Sequence, residues 1–387
     1  MPNRSCDRTR VLQVIGNLGR GGVETWLMQV LGAIDRERFA VDVMLLRPEP
    51  AAYDDRAQAL GVNVIPCPGS TRPWRFARNF RRALEQYGPY DVIHTHMYLR
   101  DGLVLRLAHG AGIPVRISHS RHPQAHRIDP LLKRAALPLV RYLVKRHATK
   151  ILAVSDESAA AFLGPGILGD RRYELLTTAI DLAPFTTRGD GAALREKLGI
   201  PPEALVVGHV ARFVEWKKQD FIVRVAAELR KRRDDIYFLL IGDGPCREAV
   251  RLQALDAGVS DRFVFPGERD DVPALMTGVF DLLVFPSVSE GLGRVVVEAQ
   301  AAGLPCVISD GVPRHADVVT ELVCRRSLAE PPAVWADSIA AALDAGRVMS
   351  PAEALATLMQ SDFNINANVD HLEAVYDQGL ADALPRG

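Results

Sequence analysis

Short runs of apolar, largely β-branched residues recur along the chain at Val11 to Ile15, Val41 to Leu46, Val62 to Ile65, Val92 and Ile93, Val115 to Ile117, Ile151 to Val154, Val206 to Val210, Tyr237 to Ile241, Phe263 to Phe265, Leu282 to Phe285 and Pro305 to Ile308. Stretches long enough for one helix separate most of them. This alternation predicts parallel sheets with helices on both faces, because a strand buried on both sides reads as an unbroken apolar run. The pattern is interrupted at Ile180 to Gly191, where turn formers crowd together before a new helix signal, Ala192 to Leu198, closed by Gly199. A second series of strands then opens at Val206. We therefore expect two Rossmann-like, doubly wound α/β domains, residues 1–183 and 184–362, followed by a helical tail over 363–387. The length agrees, since one hydrophobic core usually stops growing at about 250–300 residues. Open parallel sheets take ligands beyond the carboxyl ends of their strands, so two such domains facing each other across an interdomain cleft would hold the chemistry there.

Composition then limits the class. The chain is 48% hydrophobic, 24% charged and 6% aromatic, the make-up of a soluble globular protein. Its cysteines, Cys6, Cys67, Cys246, Cys306 and Cys324, show neither metal-ligand spacing nor a secreted disulfide framework, which fits a reducing, cytoplasmic setting. The apolar stretch near the N-terminus is too short for a signal peptide, and no run approaches the ~18 residues of a membrane span. Net charge is zero, but residues 1–180 carry 26 Lys and Arg against 16 Asp and Glu, leaving the first part at +10 and the remainder at −10. Either the first part meets something anionic, a membrane surface or an acidic acceptor, or the two parts attract each other. No nucleic-acid partner is expected.

The densest local signal runs from Ser289 to Pro305, directly after the apolar run Leu282 to Phe285 and the turn Pro286-Ser287. Gly291, Leu292 and Gly293 lie where a loop enters a helix, and backbone amides exposed there, together with the helix dipole, favour a phosphate. Glu290 precedes this loop and Glu298 follows about two turns into the helix, so both carboxylates can face one elongated ligand bearing hydroxyls. Each charge-assisted bond of that kind contributes on the order of 1.5–3 kcal/mol. Spacing alone equally allows Glu290 to cap the helix and Glu298 to be solvated. Taken whole, Pro-Ser, Glu-Gly-x-Gly, seven residues between the glutamates and Ala-x-Ala-Ala-Gly-x-Pro resemble the C-terminal signature of the retaining GT-B glycosyltransferases of family four, group 1 type, which include bacterial capsule and exopolysaccharide enzymes.

Other segments resemble the same family in order along nearly the whole chain. His209 to Lys217 looks like its basic motif, with Arg212 and Lys217 five positions apart. The resemblance assigns both to the donor diphosphate, and fixed cations suit a leaving group whose charge grows as the glycosidic bond breaks. Ile241 to Pro245, with Gly242, is similar to the turn close to the nucleotide, and Phe265 to Arg269, with Gly267 and Arg269, to the loop that meets the base. At the N-terminus, Gly16 to Thr25 lacks the G-x-G-x-x-G spacing of a dinucleotide fingerprint, and no acidic residue ends the second strand. It resembles instead the Gly-Gly loop that closes over diphosphate and acceptor, here Gly21 and Gly22. The resemblance further implies that Glu290 holds the sugar hydroxyls, Glu298 the ribose, and that the tail from Phe363 to Leu380 crosses back to the first domain.

Histidines gather after two predicted strands: His94 and His96, then His119 and His122. His-x-His with a third histidine could ligate zinc, but no cysteine or carboxylate completes the set. His119 matches the family position that reaches the donor sugar or reacting centre, while His94, His96 and His122 would line the acceptor pocket or serve as structural polar groups. The Asp-x-Asp pattern that holds a metal at a diphosphate is missing, so no metal cofactor is expected. Two positions depart from the family. Thr178-Ala179-Ile180-Asp181 stands where Asn-Gly-Ile-Asp is frequent, and Lys218, an additional cation, stands where glycine commonly follows the motif lysine.

The expected reaction is transfer of a hexosyl unit, with retention, from a UDP- or GDP-sugar to a lipid-linked or saccharide acceptor. A GT-B phosphorylase or epimerase, or a nonenzymatic nucleotide-sugar-binding protein, would share the binding residues. Residues 129–150 combine Lys133, Arg134, Arg141, Lys145, Arg146 and Lys150 with apolar residues at helical spacing. They read either as a peripheral membrane contact or as a core helix with a solvated basic face, broken near Pro138.

Overall fold

The computed structural model describes residues 8–19, 21–68, 72–121 and 130–383, the side chains of 130–134 excepted. It divides into two units, one comprising residues up to Ala179 and from Ile365 onward, the other Ile180–Asn364. The first seam lies a few residues before the expected 183/184, because Ile180, Leu182 and Phe185 are buried in the core of the second unit.

The first unit holds a seven-stranded sheet: β1 (Thr9–Ile15), β2 (Phe39–Leu45), β3 (Asn63–Pro66), β4 (Val92–Thr95), β5 (Val115–Ser120), β6 (Lys150–Ala153) and β7 (Tyr173–Leu175), in the order β3-β2-β1-β4-β5-β6-β7. Every pairing is parallel. The second unit repeats the plan with β8 (Leu205–Val210), β9 (Ile236–Ile241), β10 (Phe263–Gly267), β11 (Leu282–Phe285), β12 (Cys306–Ser309) and β13 (Val323–Arg326), in the order β10-β9-β8-β11-β12-β13, again all parallel. Strand order therefore reverses between β1 and β4 in one sheet and between β8 and β11 in the other, and ligands of such sheets bind at these switch points. The apolar runs fill the layers on both faces of each sheet. Strands β7 and β13 escaped the sequence pattern because they are half-buried edges, Tyr-Glu-Leu and Val-Cys-Arg-Arg, with no apolar run to mark them.

The helix Gly191–Leu198 starts on Asp190, whose side chain accepts from Ala193 N, and stops at Gly199 in the left-handed conformation. The helix Pro130–His147 passes through Pro138 without ending there, contrary to the expected break. The final helix, Ile365–Ala383, belongs to the first unit, where Leu372, Val375 and Tyr376 join the core under β1 and β5. Among the described residues, no helix is long and apolar enough to cross a membrane.

Candidate active site

In the second unit the loops leaving β8 and β11 meet at the switch point. Lys217, after β8, brings Nζ to 2.5 Å from Glu290 Oε1, after β11, and both side chains are largely buried. The Ser287 hydroxyl donates to the same carboxylate oxygen, and the Lys217 ammonium sits over the Phe285 ring at 4.7 Å. Backbone bonds lace the loops together, Val288 N donating to Trp216 O at 2.7 Å and Glu290 N to Gly311 O at 2.9 Å. Gly311 is required here, since a Cβ would lie 2.3 Å from Val288 O. Glu290 is thus no helix cap. The helix Arg294–Ala301 begins after Gly293, and Gly291 and Leu292 are buried in the turn that leads to it. Glu298, one turn in, accepts from Arg294 Nε at 3.1 Å.

Beneath this loop pair, His209 is fully buried in β8. Its Nδ1–H donates to Val284 O at 2.9 Å, so Nε2 accepts from Gln219 Nε2 at 3.2 Å. Gln219 spends its other amide hydrogen on Arg212 O at 3.1 Å, which fixes the backbone that carries Arg212. Burial pushes the His209 imidazole down to about 4, so it stays neutral. Arg212 itself is exposed, and its guanidinium makes no ion pair among the described residues. Lys218 lies at φ 57°, ψ 38°, the left-handed region that explains a glycine at this place, and its ammonium is 3.9 Å from Asp220. Gly242, at φ 126°, passes so close to Ala211 that a Cβ would come within 2.1 Å of its carbonyl oxygen, and Gly242 N donates to Gly267 O at 2.8 Å. Arg269 is engaged by Asp271 through two hydrogen bonds of 2.5 and 2.7 Å.

In the first unit, Gly21 caps the helix Gly22–Ala33 in an extended conformation after β1. The carboxyl ends of β4 and β5 bring His94, His96 and His119 together, their nearest ligand atoms within 4.8 Å of one another. His119 is 1% exposed; Nδ1 contacts His94 Nε2 at 3.0 Å and Nε2 contacts Leu176 O at 3.2 Å. Its imidazole is therefore occupied by protein on both sides, and His96 is the partly exposed ring of the three. Arg121 Nε donates to His96 Nδ1 at 3.2 Å, with the guanidinium over the Trp26 ring at 3.8 Å. All three imidazoles are held well below their ordinary value by burial and, further, by the Arg121 charge. A divalent ion among them would face that fixed cation, and it would have to part His94 Nε2 from His119 Nδ1, which now contact each other at 3.0 Å. His122 lies outside the described residues.

Residues 21–177 match the model of the glycosyl transferase 4-like domain, and residues 190–353 that of glycosyl transferases group 1. EpsF of Bacillus subtilis (strain 168), named as a glycosyltransferase, is 36% identical over 379 residues, 96% of this chain and 97% of that protein. The chain belongs to the group 1 glycosyl transferases. The 2-deoxystreptamine glucosyltransferase of Streptomyces kanamyceticus is 31% identical to this glycosyltransferase over 254 residues, 61% of this chain and 63% of that protein. The crystal structure of Anabaena HepE with UDP and glucose aligns at a TM-score of 0.78 and 22% identity, covering 96% of this chain and 100% of that one. With the two parallel sheets, that likeness gives this glycosyltransferase the two-domain, Rossmann-like GT-B fold.

Of the residues singled out by sequence, the fold of this glycosyltransferase places Lys217 directly on Glu290 and Gly242 on Gly267, whereas Arg269 and Glu298 have partners of their own, Asp271 and Arg294. Sequence reasoning passed over Ser287, Gln219 and Gly311, which hold the pair in place. The signal for Ser287 was present, a hydroxyl three residues before Glu290 in the motif itself.

Proposed function

We propose that this glycosyltransferase moves a hexosyl unit from a nucleotide-diphosphate sugar to an acceptor hydroxyl, with retention and without a metal ion, in the assembly of a cell-surface polysaccharide or glycolipid. The observation that carries the reading is the Lys217–Glu290–Ser287 cluster at the switch point of the second sheet. A diphosphate arriving beside Lys217 competes with Glu290 for the ammonium, which frees the carboxylate to accept hydrogen bonds from sugar hydroxyls. Arg212 is the second cation on the diphosphate, the amides of Gly291 to Gly293 face a phosphate, Gly242, Gly267 and Arg269 border the nucleotide, and Glu298 takes the ribose. The bond from the anomeric carbon to the β-phosphate oxygen breaks, one to the acceptor oxygen forms, and the acceptor proton passes to the leaving phosphate. Gly21, Gly22 and the histidine cluster serve the acceptor side. UDP is the favoured nucleotide, since HepE has been crystallised with UDP and with UDP-glucose.

Thermal shift with UDP- and GDP-sugars, followed by transfer assays on lipid-linked sugars with and without EDTA, tests this reading. Selective stabilisation by one nucleotide class and EDTA-resistant transfer are expected. Activity abolished by EDTA and restored by Mg²⁺ would overturn the metal-free mechanism, and binding without turnover would point to a sensor. Contact with a membrane surface belongs to the same proposal. The helix Pro130–His147 exposes Leu139, Tyr142, Lys145 and Arg146, and the helix Pro73–Tyr87 exposes Trp74 beside Arg75, Arg78, Arg81 and Arg82. Co-sedimentation with vesicles should rise with anionic lipid and fall with salt; no dependence on either rejects it.

A further inference from the structure

The histidine cluster of the first unit has a direction. Arginine only donates, so His96 Nδ1 must be bare and its proton must sit on Nε2, which donates to Gln13 Oε1 at 2.9 Å. Gln13 Nε2 then donates to Tyr376 Oη at 2.9 Å, Tyr376 Oη lies 3.0 Å from His94 Nδ1, and Gln13 Nε2 itself lies 3.5 Å from that nitrogen. From the far end, the Leu176 carbonyl only accepts, so His119 carries its proton on Nε2 and is bare at Nδ1. His94 must therefore donate from Nε2 to His119, and its bare Nδ1 accepts, from the Tyr376 hydroxyl at 3.0 Å in preference to the Gln13 amide at 3.5 Å. The two ends impose the same sense independently, and they meet at Gln13, whose amide accepts on one side and donates on the other.

We propose that Gln13 is a positioning residue of the transferase: it joins Arg121, His96, Gln13, Tyr376, His94, His119 and the Leu176 carbonyl into one aligned hydrogen-bond series that fixes the His96–Arg121 pair at the carboxyl ends of β4 and β5. Aligned bonds polarise and strengthen one another, so the series holds the pair more rigidly than separate contacts would. His94 and His119 are buried within the series, and His96, paired with Arg121 at its other end, is the partly exposed ring. Gln13, Tyr376 and the near-parallel His94 and His119 rings, their centroids 5.2 Å apart and their planes 5° from parallel, act only through that end. The functional half of this proposal rests on the acceptor-side reading of the first unit given above.

The test is the ¹⁵N spectrum of the imidazoles in the full-length protein, with Gln13→Met as the variant. In the unaltered protein all three rings should be neutral and protonated at Nε2 near pH 7. In Gln13→Met, His94 and His119 should keep that state, held from Leu176, while the His96 Nε2–H and the Arg121 Nε–H lose their protection from exchange. Release of UDP from UDP-glucose should fall about tenfold in kcat with KM within about twofold. An Nδ1–H or a doubly protonated ring in the unaltered protein overturns the series. A variant spectrum changed at all three rings alike, or at none, overturns the role of Gln13, as does unchanged kcat. If neither protein turns over UDP-glucose, the donor reading has failed and the spectra alone decide the series.

Discussion

Each unit gathers polar side chains at the carboxyl ends of its strands, and the two gatherings are built in opposite ways. In the second unit the partners are ions: Lys217 and Glu290 are paired, with Ser287 on the same oxygen. Such a pair can be exchanged, because a dianionic ligand offers Lys217 a stronger counter-charge. In the first unit the partners are neutral rings and amides whose protons are set by their neighbours, and no ligand can replace one link without disturbing the next. The comparison separates a site that trades partners from one that keeps them. Its sharpest break is Lys217→Ala. Losing one of the two cations proposed for the leaving diphosphate should reduce kcat by roughly 10²–10³. Steady-state rates check this, and a loss below about threefold would mean that Lys217 is only a tether for Glu290.

Acid should break the other side. The folded state holds His94, His96 and His119 well below the ordinary 6.5, so the unfolded chain binds more protons once the pH falls under that value. Their stabilising contribution is complete above about 6.5 and is lost on acidification. Asp101, buried against Thr95, Ser118 and Met97 N, opposes this: burial pushes its carboxyl up to about 7, so between that value and 3.8 the folded form binds the extra proton. His209, pushed down to about 4, and His147, also lowered, lose on the same side as the three, so five groups against one leave a net loss. The Tm should fall steadily from pH 7 to 5, and calorimetry showing a level or rising Tm would contradict the neutral-ring assignment.

Much of this was legible beforehand. Unbroken apolar runs such as Leu282 to Phe285 could only be strands covered on both faces, and the alternation of such runs with helices led to the two sheets. What stayed hidden depends on partners distant in sequence. Gln13 reads as a polar residue inside the run Val11 to Ile15, which says that it must be satisfied but not that Tyr376, 363 positions on, satisfies it. His209 inside Val206 to Val210 is the same case, its distant partner being Val284 O, 75 positions on. The histidines form a recognisable group in the sequence, yet their spacing does not say which nitrogens carry protons; that needed Arg121 and Leu176 in place. His119, which the family resemblance places at the donor sugar or reacting centre, is 1% exposed, and the partly exposed neighbour is His96.

A smaller effect follows from Ser287→Ala. The hydroxyl supports Glu290 Oε1 and also lies 3.2 Å from Trp216 O, so its loss removes one bond from a carboxylate that Lys217 still holds. One charge-assisted bond of this kind corresponds to about 1.5 kcal/mol, or roughly tenfold in kcat/KM. Ser287→Thr, which restores the oxygen, should recover most of it. If alanine and threonine behave alike, Glu290 is placed by Lys217 alone.

The smallest expected change is at Lys218. A non-glycine residue in the left-handed region is strained by roughly 1 kcal/mol, because Cβ crowds the following carbonyl. Glycine relieves the strain but gives the unfolded chain more freedom, which offsets part of the gain. The Asp220 contact, at 3.9 Å and partly exposed, contributes little against this. Lys218→Gly should therefore raise stability by about 0.5 kcal/mol, a shift of one or two degrees in Tm. The same variant sharpens the reading of the ionic site: if Lys217 and Arg212 hold the diphosphate without Lys218, kcat and the nucleotide-sugar KM should stay within about twofold in Lys218→Gly. A rise of tenfold in that KM would show instead that Lys218 leaves Asp220 for the ligand, and the exchange of partners proposed for Lys217 would extend to its neighbour.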